Sequence, residues 1–169
     1  TVIDHHNPDI YDKIFTSVNY KRFRLDARFN YSVGNDVYNY MRSQLEGGSR
    51  FFNQTTALNS RWQAEGQLTS IPRATFQDPM GNSRFSDRWI EDGSYLRLKT
   101  ITLSYDLPVN STFFQGFQFW IQANNVFTIT KYLGSDPEFS ATSSVIGQGI
   151  DLGELPQSRS IVAGVKINL

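Results

Sequence analysis

A two-residue alternation of polarity constrains this chain more than any other feature. Successive side chains of an extended strand point to opposite faces, whereas those of a helix do not. From Phe23 to Val33, Phe23, Leu25, Ala27, Phe29, Tyr31 and Val33 share one face, and Arg24, Asp26, Arg28, Asn30 and Ser32 share the other. Ile14, Thr16, Val18 and Tyr20 repeat the pattern just upstream, with only Lys21-Arg22 between the runs. That spacing predicts a tight hairpin, although it lacks the Gly or Asn such turns favour. Ile101, Leu103, Tyr105 and Leu107 alternate with Thr100, Thr102, Ser104 and Asp106, but Leu96 and Leu98 stand in the opposite phase, as a bulge between them would require. Phe117, Phe119, Ile121, Ala123 and Phe127 oppose Gln118, Gln122, Asn124 and Thr128, with Trp120 and Val126 breaking the pattern. Ile161, Ala163, Val165, Ile167 and Leu169 close the chain opposite Ser160, Gly164, Lys166 and Asn168.

The alternation predicts an all-β, antiparallel protein with strands over about 10–20, 23–33, 95–107, 117–129 and 159–169. Their connections alternate between short and long: about two, sixty, nine and thirty residues. A compact soluble sheet has no reason for that asymmetry, but a transmembrane β-barrel does, with strands of ~9–11 residues, short turns at one end and long loops at the other. Five such strands would leave well over ~1,000 Å² of apolar face, against the few hundred Å² that a soluble monomer exposes. Lipid or a second sheet must cover it. Arg24, Asp26, Arg28, Asn30, Gln118, Gln122 and Lys166, on the opposite face, suit a polar lumen. A soluble β-sandwich acting as a carbohydrate-binding module shares the alternation and is the alternative reading. Within the long connections, Val37, Tyr40, Met41 and Leu45 follow helical spacing behind Asn35/Asp36 as a cap, with Gly47-Gly48 as a stop, and a second short helix is expected from Thr56 to Gln63.

Composition excludes several function classes. Sixteen basic residues balance sixteen acidic ones, which removes the electrostatic driving force for binding nucleic acid or an anionic membrane surface. The absence of cysteine removes disulfides, thiolate metal sites and Cys nucleophiles. No run reaches the ~18 apolar residues of a membrane helix. The first residues carry neither an initiator Met nor a signal-peptide pattern, so the 169 residues are expected to be a portion of a longer protein.

The segment Ser86-Asp87-Arg88-Trp89-Ile90-Glu91-Asp92-Gly93-Ser94-Tyr95-Leu96-Arg97-Leu98-Lys99, running on to Leu103-Ser104-Tyr105-Asp106-Leu107-Pro108, resembles the C-terminal part of SusC/RagA-family TonB-dependent outer-membrane transporters. Further matches follow in the family's order: Gly34-Asn35-Asp36-Val37-Tyr38-Asn39, Asn125-Val126-Phe127-Thr128 with Thr130-Lys131-Tyr132, Asp136-Pro137-Glu138, and Pro156-Gln157-Ser158-Arg159. The resemblance implies the last five strands of a barrel of about 22 strands closed by an N-terminal plug. It implies outer-membrane import of oligosaccharides or peptides, without a cofactor. The implied partners are a SusD-like surface lipoprotein, the TonB-ExbB-ExbD system acting through the N-terminal region, and the barrel-assembly machinery. The assembly signal falls on Val165, Ile167 and Leu169, where Leu169 stands in place of the family's usual terminal Phe. With a periplasmic C-terminus, Lys21-Arg22 and the segment from Pro108 to Gly116 become periplasmic turns, and loops over about 34–94 and 131–158 face outside.

Trp62, Trp89 and Tyr132 are loop aromatics that could stack on sugar rings or pack the loops against one another. His5-His6 with Asp4 and Asp9 could be half a metal site, but adjacent His side chains on an irregular segment rarely converge, so no metal is expected. Glu91 and Asp92 point apart in extended chain, which is poor acid/base geometry and suits a turn ending at Gly93. Gly147-Gln148-Gly149 lacks the strand and helix of a phosphate loop. No catalytic Ser/His/Asp set is credible with both histidines at one end, and no enzyme is expected.

Overall fold

The computed structural model describes residues 5–109, 113, 115–138 and 148–168. In chain order its elements are β1 (Ile10–Tyr20), β2 (Phe23–Val33), β3 (Asp36–Asn39), α1 (Tyr40–Glu46), β4 (Ile90–Asp92), β5 (Tyr95–Pro108), β6 (Gly116–Thr130), β7 (Ile150–Asp151) and β8 (Ser160–Asn168). They fall into two compact units. One holds a five-stranded sheet of order β1-β2-β5-β6-β8, antiparallel throughout. The other holds α1 and a small sheet of order β4-β3-β7, whose strands have only three, four and two residues.

Register in the large sheet brings like with like. Val18, Leu25, Leu103, Ile121 and Ala163 form one row across all five strands, and Tyr20, Phe23, Tyr105, Phe119 and Val165 form the next. The Phe23 and Tyr105 rings lie 4.8 Å apart, within the range of favourable aromatic pairs. Ser17, Asp26, Thr102, Gln122 and Val162 make a row on the opposite face. The apolar face is uncovered even at its centre, where Leu103 keeps 43% and Ile121 49% exposure.

The phase change in the third run has a structural cause. Arg28 pairs with Thr100 and Phe29 with Leu98, so Lys99 has no partner on β2. On the other side Leu98 faces Phe127 and Thr100 faces Asn124, leaving Asn125 and Val126 opposite Lys99 alone. The bulge returns Leu96 and Leu98 to the apolar face, and it explains why Val126 departs from the alternation. Asn125 takes a left-handed conformation (φ 51°), which Asn tolerates better than most residues. Trp120 falls on the polar face, where its indole lies over Gly164: a Cβ there would sit 2.6 Å from the ring. Lys21 takes the positive φ (55°) that the hairpin needs and that Gly or Asn would adopt more easily.

The loop expectations need two corrections. Asp36 to Tyr38 are a strand paired with β4, so the helix begins later, at Tyr40, and Asn39 caps it by accepting the Arg42 N–H at 2.9 Å. From Thr56 only a 3-10 turn forms, ending at Ser60. It stops there because the Trp62 N–H is committed to the Ile71 carbonyl at 2.8 Å instead of the carbonyl four residues back. Among the described residues no helix is long and apolar enough to cross a membrane, which does not bear on crossing by strands.

Candidate functional site

Among the described residues, each unit gathers polar side chains into an arrangement of its own. The first is the polar face of the large sheet. Register puts Arg24, Asp26, Arg28, Asn30, Gln118, Gln122 and Lys166 on that one face. Arg24 Nε donates to Asp26 Oδ2 at 2.9 Å, Thr102 Oγ1 donates to Gln122 at 3.2 Å, and Gln122 Nε2 donates to Asn124 at 2.9 Å. Asn124 continues the chain to Ser160 at 2.9 Å, and Gln118 donates to Asp106 at 2.8 Å. Such side chains hydrogen-bond to one another and to water, so the face is wettable but holds no nucleophile and base in catalytic array. Val165 and Ile167 lie on the apolar face opposite Phe119 and Phe117. Leu169 lies outside the described residues.

The second arrangement is centred on Glu91 in the loop unit. Its carboxylate accepts from Arg42 Nη1 at 2.8 Å, from Asn39 Nδ2 at 3.3 Å and from the Leu133 N–H at 2.9 Å, and its side chain is only 9% exposed. Arg42 also donates to Glu46 at 2.9 Å. Burial disfavours the Arg42 charge, but hydrogen bonds and charges of Glu91 and Glu46 outweigh it and raise its pKa. Glu91 therefore belongs to a strand and anchors the loop unit, which corrects the expectation of a turn residue.

Trp89 is fully buried, with the guanidinium groups of Arg88 and Arg42 4.9 Å and 5.7 Å from its ring. Burial, and then the Arg42 charge, lower the Arg88 pKa. Tyr132 is buried and donates its hydroxyl to Asp151; burial and that carboxylate push its pKa well above the ordinary phenol value. Of the three loop aromatics, Trp89 and Tyr132 are thus both buried in the structure. Trp62 is half-buried and keeps part of its surface.

Of the other motifs, His5 supplies a backbone carbonyl to the Asp36 N–H at 2.9 Å, and His6 lies against Gly149. Gly149 passes its carbonyl to the Tyr38 N–H at 2.7 Å, a structural role, while Gly147 lies outside the described residues. Among the described residues no three His, Asp or Glu converge as metal ligands. The Glu91 hub escapes sequence reading because its partners stand 42 to 52 residues away; Asn39, a preferred N-cap type just before Tyr40, is the one local signal.

No family model matches the chain. TonB-dependent receptor P3 of Formosa agariphila is 29% identical over 174 residues, covering 98% of this chain and 17% of that protein. TonB-dependent receptor P26 of the same organism is 28% identical over 167 residues, covering 95% of this chain and 17% of its own length. Among solved structures, the RagAB peptide importer matches in its open-open state with a TM-score of 0.82 at 27% identity, and in its closed-closed state with 0.82 at 28%, each over 98% of this chain and 18% of that one. These proteins are named as receptors and importers, not enzymes. The chain thus spans about a sixth of its relatives' length, and over nearly all of its own residues it is similar, in sequence and in its mostly antiparallel sheet, to TonB-dependent receptors of the SusC/RagA kind.

Proposed function

We propose that this chain is the C-terminal part of an outer-membrane importer of oligosaccharides or peptides, a SusC-like component working with a SusD-like lipoprotein and powered through TonB. The observation that carries the reading is the match to the RagAB importer over 98% of the chain at a TM-score of 0.82. The sheet's two unlike faces support it. The open apolar face suits lipid, and the row of Arg24, Asp26, Arg28, Asn30, Gln118, Gln122 and Lys166 suits a wet lumen. In this reading the five strands are the last of a barrel of about 22, the C-terminus is periplasmic, and Val165, Ile167 and Leu169 form the signal read by the assembly machinery. The loops over 34–94 and 131–158 face outside, and Trp62 is the loop aromatic left for substrate. The chain's residues do no covalent chemistry: they bind, orient and let pass.

Paired substitutions in the full-length transporter test it. Leu103→Arg puts a charge on the lipid side and is expected to cost about 2–4 kcal/mol near the bilayer midplane and to abolish folded barrel in outer-membrane fractions. Thr102→Arg, on the other face, is expected to assemble. Uptake of peptide or oligosaccharide by cells with and without TonB completes the test. Equal assembly of both variants, or uptake that ignores loss of TonB, refutes the reading.

A further inference from the structure

The loop unit contains a cavity of about 550 Å³, within the usual range of ligand pockets, lined by most but not all residues between Gly48 and Arg61 and by Ala74 and Phe76. Gly48 lets the two stretches meet: it has φ 62°, and a Cβ there would come 2.8 Å from the Ala74 side chain. A backbone bond from the Gln77 N–H to the Ser49 carbonyl, at 2.9 Å, ties them together. The lining contains two guanidinium groups, Arg50 and Arg61, and no carboxylate. Among the described residues neither arginine forms a salt bridge: Arg50 lies over the Phe52 ring at 5.9 Å, and Arg61 spends one N–H on the Leu58 carbonyl at 3.1 Å. Phe51 and Phe76 stack 4.7 Å apart while remaining 89% and 58% exposed, so two aromatic rings stand open at the edge of a cationic cavity.

We propose that this cavity is a binding subsite for a short acidic peptide, with a carboxylate held by Arg50 and Arg61 and a neighbouring apolar side chain laid on Phe51 and Phe76. The proposal rests on the import reading above and names the class of cargo. Guanidinium forks match carboxylates bidentately, and exposed rings supply apolar area at little entropic cost. A sugar fits less well. Its hydroxyls bring no negative charge to the two guanidinium groups, and the lining has no carboxylate for its donors, offering instead Gln54 Oε1, buried and unpartnered among the described residues.

The test uses the full-length transporter in detergent and three labelled probes: the end-capped pentapeptide acetyl-GAFDE-amide, its uncharged counterpart acetyl-GAFNQ-amide, and tetragalacturonate. GAFDE is expected to bind at least tenfold more tightly than either of the others. Arg50→Ala with Arg61→Ala is expected to remove that preference, and Phe76→Ala to weaken both peptides by several fold. Arg50→Lys, which keeps the charge without the fork, should fall between. Equal affinity for GAFDE and GAFNQ, tighter binding of tetragalacturonate, or unchanged binding in the double-arginine variant overturns the proposal. TonB-dependent uptake is measured in the same strains. If uptake persists while the pocket variants bind like the parent, the subsite assignment alone falls; if no TonB-dependent uptake exists, the import reading falls with it.

Discussion

Replacing Glu91 by alanine removes one carboxylate and leaves three donors without their acceptor: Arg42 Nη1, Asn39 Nδ2 and the Leu133 N–H. Hydrogen bonds to a charged group contribute about 1.5–3 kcal/mol each, and a buried donor left unmade costs about as much. The Arg42 share must be discounted, because that side chain is 28% exposed and keeps Glu46 as a second partner. The Asn39 bond is long, and its amide can turn elsewhere. A total of about 2–4 kcal/mol remains, which at ~1.4 kcal/mol per tenfold raises the open population of the loop unit roughly thirty- to several-hundred-fold. The unit's own opening free energy caps what can be seen. Hydrogen exchange of the full-length transporter reads the effect directly, in amides of residues 36–46 and 132–136. Glu91→Gln, which keeps an acceptor for Leu133, should lose about half as much, and exposed Glu65→Ala should stay within about 0.5 kcal/mol. Exchange within twofold of the parent in Glu91→Ala would refute the assignment of Glu91 as the anchor, whatever happened elsewhere in the protein.

Gly164→Val drives a side chain into the Trp120 indole, since even a Cβ would lie 2.6 Å from the ring; a cost of about 1–3 kcal/mol is expected as a lower unfolding temperature of the full-length protein, with Trp120→Ala relieving it. Tyr132 has a folded pKa raised above its unfolded value. Its contribution is therefore complete below about pH 10 and is lost as pH climbs toward the folded value; tryptophan emission should report loosening there, with Tyr132→Phe flat over the same range. Asp78 behaves oppositely. Burial pushes its pKa up, but hydrogen bonds from Ser83 and Asn82 and the Arg84 charge outweigh that and hold it low, so its contribution is present above about pH 4 and fades as pH falls through the folded value. Exchange protection over residues 77–83 should decline in acid, and Asp78→Asn should remove that dependence.

What could be read from the sequence, and what could not, follows from the reach of each interaction. A strand between two unlike surroundings meets the same contrast every second residue, so Phe23 to Val33 carry the record of their environment in their own order. Even the bulge at Lys99 is visible that way, because a skipped pairing inverts the phase of Leu96 and Leu98. The loops work on another logic. Buried groups there meet particular partners at no fixed spacing: Glu91 meets residues 42 to 52 positions away, Tyr132 meets Asp151, and the Trp89 ring meets the guanidinium group of Arg42. Local pattern therefore misled where tertiary pairing won, as when β4 drew Asp36 to Tyr38 out of the helix that their spacing suggested. On the import reading proposed above, the same contrast separates the tasks of the two units. A face repeated by register can be wet or greasy but cannot discriminate finely, since neighbouring rows resemble one another. Discrimination needs unlike groups gathered at one point, and it is the loop unit, where Gly48 lets the two stretches meet, that brings Arg50, Arg61 and two phenyl rings around one cavity.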